Sequence, residues 1–378
     1  MPAEPDKPLR IFHVLRAPVG GLFRHVVDLA RGQAARGHQV GIIADSTTGG
    51  ARADAAFAEL SPHLALGLTR LPMSRHVDWS DVDAVADVTQ RVADGKADVV
   101  HGHGAKGGAY ARLAKHGQAI RVYTPHGGSL HYRWVSPVGL FYLTVERALM
   151  RRTDLMLFES IFGRDTFHAK IGQPSGLVRV VHNGVTPVEF EPIEPMAQAT
   201  DLVFIGELRA LKGIDVLIDA IGLLAREGRT VSATIVGDGP DQAALKAKVE
   251  ALKLADAVRF VGALPARTAL ALGQFLIVPS RAESLPYVVL EAAAATVPMV
   301  VTNVGGIPEI FGPEASNLVP PGDAAALARA ITAALDEPAI ARAAAWRLRL
   351  RVNTHFSAKA MTDAVLAAYG DAIAARHG

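Results

Sequence analysis

Short apolar runs alternate with longer helical patterns along almost the whole chain, and this alternation limits the fold more than any other feature. Apolar, β-branched runs separated by helices are typical of parallel sheets covered on both faces. The sequence therefore predicts the α/β class. The strand candidates are Leu9–Leu15, Val40–Ala44, Ala97–His101, Arg121–Thr124, Leu155–Glu159 and Val178–Val181, then Leu202–Ile205, Ser232–Val236, Val258–Val261, Phe275–Val278, Met299–Thr302 and Asn317–Val319.

These strand candidates form two series, and a segment with three prolines and weak periodicity separates them. Such a segment is typical of a linker. We predict a Rossmann-like domain over 1–185, a linker over 186–200, a second Rossmann-like domain over 201–355, and a final helical segment over 356–378 that returns to the first domain. Two doubly wound domains of this kind would face a cleft and bind ligands at the carboxyl ends of their strands.

Composition narrows the function classes. The 378 residues include no cysteine, which excludes disulfides, thiolate metal ligands and a cysteine nucleophile. The start of the chain is polar and no apolar run reaches the length of a membrane span, so we expect a cytoplasmic protein. Residues 1–185 carry 22 Lys and Arg against 16 Asp and Glu. This basic half could attract an anionic partner, or the difference could be ordinary surface variation.

One strand-to-helix turn of the second half carries two carboxylates eight positions apart, Glu283 and Glu291. Pro279 ends the preceding strand, and a helix is predicted from Leu285 onward, with Pro286 in its first turn. A helix that begins there directs unpaired backbone N–H groups at the loop, where an anion such as phosphate can bind. Carboxylates beside such amides suit the hydroxyls of a sugar nucleotide.

Another loop of the second half, Phe204–Gly213, carries the cations Arg209 and Lys212 between a strand and a helix. Cations placed there can hold a diphosphate and offset the charge of a leaving group.

Glycines and histidines follow the strands of the first half. Gly20-Gly21 would let backbone amides approach a ligand closely, although a plain turn is the alternative. His126 lies between proline and glycine at a strand end, and is our candidate active-site residue of this half. His101-Gly-His103 opens a G-x-G-x-x-G pattern, but residues 99–145 hold no acid for a dinucleotide ribose. We expect these two histidines to pack or hydrogen-bond rather than to bind a metal.

Two further segments admit a structural interpretation. Asp81-Val-Asp83 could hold a metal–diphosphate, but it follows Ser80 and is interpreted as a helix start with Ser80 as N-cap. The mixed aromatic and basic residues of 129–152 could rest on an anionic membrane surface or could line the cleft, and we favour the second.

The turn that carries Glu283 and Glu291 resembles the E-x7-E signature of retaining GT-B glycosyltransferases, particularly family 4. Thr124–Gly128 is similar to the T-x-H-G segment of that family, and Phe204–Gly213 to its G-R-L-x-x-x-K-G segment, except that Glu207 stands where arginine is usual. Arg209 could supply the missing guanidinium. Val236–Pro240 and Asn303–Glu309 resemble two glycine turns of the family.

The resemblance implies transfer of a sugar from a nucleotide-sugar to the hydroxyl of a carbohydrate or lipid-linked acceptor, with retained configuration, no metal and no cofactor. It implies no nucleic-acid partner, and it allows peripheral contact with a membrane. The implied catalytic residues are His126, Lys212 and Glu283. The implied donor-binding residues are Gly20, Gly21, Arg209, Lys212, Glu283, Ser284, Leu285, Pro286 and Glu291.

Two alternatives stay open. A nucleotide-sugar epimerase on the same fold would need acid/base carboxylates, which residues 99–145 lack. A two-domain sugar-binding protein without catalysis would normally be exported, and we expect no export signal here.

Overall fold

The computed structural model describes residues 7–132 and 134–377. Arg133, part of the aromatic and basic segment 129–152, lies outside the described residues. The chain divides into two compact units, one of Met1–Gly184 with Ala358–Gly378 and the other of Val185–Ser357. Each unit contains one parallel sheet among helices, so the predicted α/β class with two doubly wound sheets is confirmed.

The sheet of the first unit has the strand order β3-β2-β1-β4-β5-β6-β7. Its strands are β1 (Arg10–Leu15), β2 (Gln39–Asp45), β3 (Gly67–Leu71), β4 (Val99–His103), β5 (Ile120–Thr124), β6 (Leu155–Phe158) and β7 (Leu177–Val180). The edge strand β3 was not among the predicted strands. The predicted β4 ended two residues early, so His103 lies inside the strand rather than after it.

The helices of the first unit up to β7 are α1 (Gly20–Ala34), α2 (Gly50–Leu60), α3 (Ser80–Asp94), α4 (Gly104–Leu113), α5 (Pro137–Met150) and α6 (Ile161–Lys170). The interpretation of Ser80 as N-cap is wrong. The helix α3 already includes Ser80, Trp79 occupies the N-cap position, and the Ser80 backbone N–H donates to Asp78 Oδ1 over 2.9 Å. Asp81 accepts a hydrogen bond from Lys106 Nζ.

The sheet of the second unit has the strand order β10-β9-β8-β11-β12. Its strands are β8 (Thr200–Ile205), β9 (Ala233–Val236), β10 (Val258–Phe260), β11 (Gly273–Val278) and β12 (Met299–Val301). The strand predicted over Asn317–Val319 is wrong, because that segment forms only an isolated bridge between Val319 and Thr302.

The helices of the second unit are α7 (Ile214–Arg226), α8 (Gln242–Ala251), α9 (Ala266–Leu270), α10 (Tyr287–Ala294), α11 (Ile307–Phe311), α12 (Ala324–Asp336) and α13 (Pro338–His355). The last helix, α14 (Ala358–His377), belongs to the first unit, where Met361, Val365 and Tyr369 are buried in the core. The proline-containing segment 186–200 packs within the second unit, since the Met196 N–H donates to the carbonyl of Ala271 over 2.9 Å.

Strand order reverses once in each sheet, between β1 and β4 in the first and between β8 and β11 in the second. Open α/β sheets bind ligands beside such a reversal, outside the carboxyl ends of the strands. The loops after these four strands are therefore where a site is expected. Among the helices of the described residues, none has the length and apolar character that a membrane crossing requires.

Candidate functional site

An ion pair lies at the carboxyl edge of the second sheet, beside its strand reversal. Lys212, in the loop after β8, donates from Nζ to Glu283 Oε1 over 2.6 Å, and Glu283 lies in the loop after β11. Ser280 donates from Oγ to the same carboxylate oxygen over 2.7 Å. The side chain of Lys212 is 25% exposed and that of Glu283 is 9% exposed. The ammonium can therefore reach a ligand, while the carboxylate is held from two sides.

Close backbone contacts fix these two loops. Gly213 has φ +68°, and a Cβ on it would lie 2.0 Å from the carbonyl oxygen of Pro279. Gly305 has φ +60°, and a Cβ there would lie 1.9 Å from the carbonyl oxygen of Glu283. Only glycine allows both this conformation and this distance. The turns that carry Lys212 and Glu283 therefore pack directly against neighbouring backbone, because the glycines at these contacts have no side chain.

The helix α10 follows Glu283, but it begins at Tyr287 rather than at Leu285, and Pro286 occupies its N-cap position. Leu285 is buried, and the carbonyl of Ser284 accepts a hydrogen bond from the N–H of Gly306. These residues therefore support the loop with backbone and apolar contacts. Glu291 is buried within α10, in its second turn.

The second predicted cation of this unit lies elsewhere. Arg209 is exposed and donates from Nη1 to Glu207 Oε2 over 3.3 Å. Lys212 therefore pairs with Glu283, whereas Arg209 pairs with Glu207, which occupies the position where the family usually has arginine. A role for Arg209 in donor binding stays a prediction.

In the first unit, His126 follows β5 closely and has a left-handed conformation, with φ +52°. Its Nδ1 is 2.7 Å from Glu159 Oε1, and its Nε2 is 3.0 Å from His103 Nδ1. Only 5% of its side chain is exposed. The sequence pattern alone did not connect Glu159 with His126, although Glu159 directly follows the strand β6. The carboxylate sets the orientation of the imidazole ring.

Four further histidines lie beside His126, on β1, α1 and β4: His13, His25, His101 and His103. His13 Nδ1 is 2.9 Å from His103 Nε2, and His101 contacts the Tyr369 hydroxyl over 2.7 Å. His25 Nδ1 is 2.9 Å from Asn183 Oδ1. His101 and His103 thus hydrogen-bond as predicted. Ring nitrogens in two trios lie within 4.8 Å of one another, which is close enough for a metal, and the absence of a metal stays a prediction.

Burial keeps His13, His25, His101 and His103 neutral, and these four residues are called the histidine cluster below. Burial lowers the pKa of His13 from 6.5 to about 4, and burial together with repulsion from His126 lowers the pKa of His25 to about 3. The pKa values of His101 and His103 lie well below the usual range for the same reason. For Glu159, burial favours the protonated acid, but the charge and hydrogen bond of His126 outweigh burial and lower the pKa to about 2.

The glycine pair of the first half lies at the start of a helix. Gly20 and Gly21 are exposed, and they open α1 with φ +62° at Gly20. The next residue, Leu22, lines a cavity of about 250 Å³ that also reaches His126. In the second unit, a larger cavity of about 640 Å³ lies beside the segment 192–199 and the start of β11, and neither Lys212 nor Glu283 lines it.

Each of the two units matches a family model of known proteins. The family model described as Glycosyltransferase Family 4 matches residues 19–189, and the model described as Glycosyl transferases group 1 matches residues 199–337. The chain belongs to the family 4 glycosyltransferases. It is 29% identical over 387 residues to the glycogen synthase of Mycobacterium tuberculosis, covering 95% of this chain and 92% of that protein.

Two solved structures are similar to this family 4 glycosyltransferase in fold. Sucrose-phosphate synthase from Thermosynechococcus elongatus superposes with a TM-score of 0.81 at 21% identity, covering 97% of this chain and 100% of that one. Anabaena HepE in complex with UDP-glucose gives a TM-score of 0.77 at 19% identity, covering 97% and 99%. The predicted family and the GT-B fold are confirmed.

The neutral histidine cluster makes stability sensitive to acid. The folded pKa values of His13 and His25 lie below the unfolded value of 6.5, so the unfolded chain takes up protons first as the pH falls. The contribution of these two neutral histidines to the free energy of unfolding is therefore complete above pH 6.5, and it is lost progressively as the pH falls below 6.5. Each histidine adds a slope of up to about 1.4 kcal/mol per pH unit to the free energy of unfolding. Glu159 acts in the same direction from about pH 4.5 down towards 2.

Urea unfolding, followed by circular dichroism across the range from neutral pH to about pH 5, checks this expectation. The His25→Asn variant should show a shallower slope than the unsubstituted chain. The exposed His63 serves as control, because His63→Asn should leave the slope unchanged. A free energy of unfolding that stays constant over this pH range would contradict a neutral cluster.

Gly305→Ala should destabilise the second unit more than Gly322→Ala does. Both glycines have positive φ, but the space around Gly322 is open, whereas a Cβ at position 305 overlaps the Glu283 carbonyl. Gly322→Ala therefore carries only the backbone strain of about 1–2 kcal/mol. Denaturant unfolding of both variants measures the difference, and equal losses would show that the contact is not tight.

Proposed function

We propose that this chain is a retaining glycosyltransferase that moves a sugar from a nucleotide-sugar to an acceptor hydroxyl and requires neither a metal nor a cofactor. The observation that carries the proposal is the pair of Lys212 and Glu283 at the strand reversal of the second sheet, 2.6 Å apart. The ammonium of Lys212 suits an anionic diphosphate, and the adjacent carboxylate of Glu283 suits the hydroxyls of a neutral sugar.

Lys212 is proposed to bind the diphosphate of the donor and to stabilise the charge that develops on it as the sugar departs. The first amides of α10 would add to this stabilisation. Glu283 would accept hydrogen bonds from the sugar hydroxyls, and Glu291 would bind the ribose. The similarity to HepE, which was solved in complex with UDP-glucose, supports a nucleotide-sugar donor.

His126 is proposed to contact the reacting sugar, and the amides of Gly20 and Gly21 to approach the donor. Glu159 acts on His126 as a positioning residue, since it accepts the Nδ1–H and so sets the ring orientation. Ser284, Leu285 and Pro286 would contribute to the donor site mainly through backbone groups, because Leu285 is buried and Ser284 already contacts Gly306 through its backbone.

The acceptor is proposed to be a carbohydrate or a lipid-linked carbohydrate, and the relative named glycogen synthase supports a role in polysaccharide synthesis. Peripheral contact with an anionic membrane surface, on the cytoplasmic side, is proposed from the basic first half of the chain.

Replacing Lys212 by Ala should lower the transfer rate by about 10²–10³-fold, the size of effect seen when one group that stabilises a leaving charge is removed. The assay incubates the protein with a panel of nucleotide-sugars and measures released nucleoside diphosphate with and without acceptor. The matched control is Lys248→Ala, because Lys248 also forms a 2.6 Å ion pair, with Asp219, but lies on α8. The control should retain full activity.

The same assay separates the alternatives. A transferase releases nucleoside diphosphate in step with acceptor, an epimerase leaves it bound to sugar, and a binding protein releases none. Equal activity of the Lys212→Ala and Lys248→Ala variants would contradict the assigned role of Lys212.

A further inference from the structure

The cavity of about 250 Å³ in the first unit lies where the central strands of the sheet end. Arg16 follows β1, Lys106 lies in the first turn of α4 after β4, and His126 follows β5. Arg75, in the loop between β3 and α3, and Tyr142 of α5 also line it. Its volume is below the range of about 300–1,000 Å³ typical of drug-sized ligands, so it suits a ligand of monosaccharide size.

The charge on the cavity wall is not balanced. Lys106 Nζ is 2.5 Å from Asp81 Oδ1, so these two charges cancel. Among the described residues, neither Arg16 nor Arg75 forms an ion pair with a carboxylate. Arg16 is half-buried and Arg75 is exposed. Asp78 lies on the surface near Lys106 but does not line the cavity. The guanidinium groups of Arg16 and Arg75 are therefore available to bind an anion.

The chemistry of these two groups favours phosphate. A guanidinium presents paired N–H donors in a plane that match two oxygens of a phosphate or carboxylate, and its charge persists at every physiological pH. The cavity wall also includes an aromatic pair: the rings of Tyr132 and Tyr142 are stacked 5.0 Å apart with an angle of 12° between their planes. Apolar ring faces with hydroxyl edges suit a sugar ring.

We propose that this cavity binds a phosphorylated sugar as the acceptor, with Arg16 and Arg75 on its phosphate and the tyrosine pair beside its ring. The inference rests on the proposed function and names the acceptor class for it. In the reaction, an acceptor hydroxyl oxygen bonds to the anomeric carbon of the donor. The bond from that carbon to the diphosphate oxygen breaks with its electron pair, and the hydroxyl proton leaves with the diphosphate.

The experiment compares acceptors that differ only in phosphate: hexose 1-phosphates, hexose 6-phosphates and the unphosphorylated hexoses. We expect a phosphorylated hexose to be used at least about tenfold better in kcat/KM, as expected for a charge-assisted contact. The Arg16→Gln/Arg75→Gln double variant should lose that preference through a raised acceptor KM. The control is Arg91→Gln, an exposed arginine at the end of α3, which should keep the preference.

A second arm measures acceptor binding directly, by calorimetry without donor on the Lys212→Ala variant, in which we expect transfer to be about 10²–10³-fold slower. Binding of a hexose phosphate that is lost in the Arg16→Gln/Arg75→Gln background supports the inference even if no transfer is found with any donor. Transfer to phosphorylated and neutral hexoses with equal efficiency overturns the inference and leaves the proposed function standing.

A third arm assigns the source of the phosphate. In a competition experiment followed by calorimetry, the protein with bound hexose phosphate is mixed with vesicles of phosphatidylcholine that either contain or lack phosphatidylglycerol. The soluble acceptor is supported if the vesicles do not displace it. Displacement by phosphatidylglycerol vesicles that depends on Arg16 and Arg75 would overturn the soluble sugar phosphate in favour of a lipid headgroup.

Discussion

Tight contacts between glycine backbones and neighbouring carbonyls are the constraint on which the second unit depends. A Cβ on Gly213, Gly237 or Gly305 would lie within 2.0 Å of a carbonyl oxygen in an adjacent loop. Because no side chain separates them, the loops after β8, β9 and β11 and the turn after β12 form one packed edge. Lys212 and Glu283 lie on two of these loops, and the edge places their charged groups within hydrogen-bond distance. A preorganised pair of this kind loses little entropy when a ligand binds.

The first unit positions its candidate residue by other means. His126 belongs to a series of hydrogen bonds that runs from Glu159 through His103 to His13. Buried polar groups are costly when unpaired and rigid when paired, so this series links β1, β4 and the segments after β5 and β6 in one arrangement. The cavity of about 250 Å³ lies directly beside this series, since His126 and His103 line it. A side-chain network thus holds His126 in the first unit, and a network of backbone contacts holds Lys212 and Glu283 at the strand reversal of the second sheet.

Much of the architecture could be predicted from the sequence because parallel strands buried on both faces are continuous apolar runs. The strand β3 was missed because Gly67–Leu71 lies at a sheet edge and carries Thr69 and Arg70. The end of β4 was misplaced because Gly102 and His103 do not look like buried strand residues. Candidate site residues could be proposed one at a time from strand-end glycines, charges and family motifs. The contacts between residues could not be predicted, because Lys212 and Glu283 are 71 positions apart and His13 and His103 are 90 apart, and only the folded chain brings them together.

The central claim is that Lys212 binds the diphosphate of an activated sugar. Titration calorimetry tests it most directly, with UDP, GDP and ADP added in turn to the unsubstituted chain and to a Lys212→Met variant, which keeps most of the length of the side chain without its charge. We predict that one of these nucleotides binds, and that its Kd rises at least about tenfold, or ~1.4 kcal/mol, in the variant. An unchanged Kd for that nucleotide would contradict the claim.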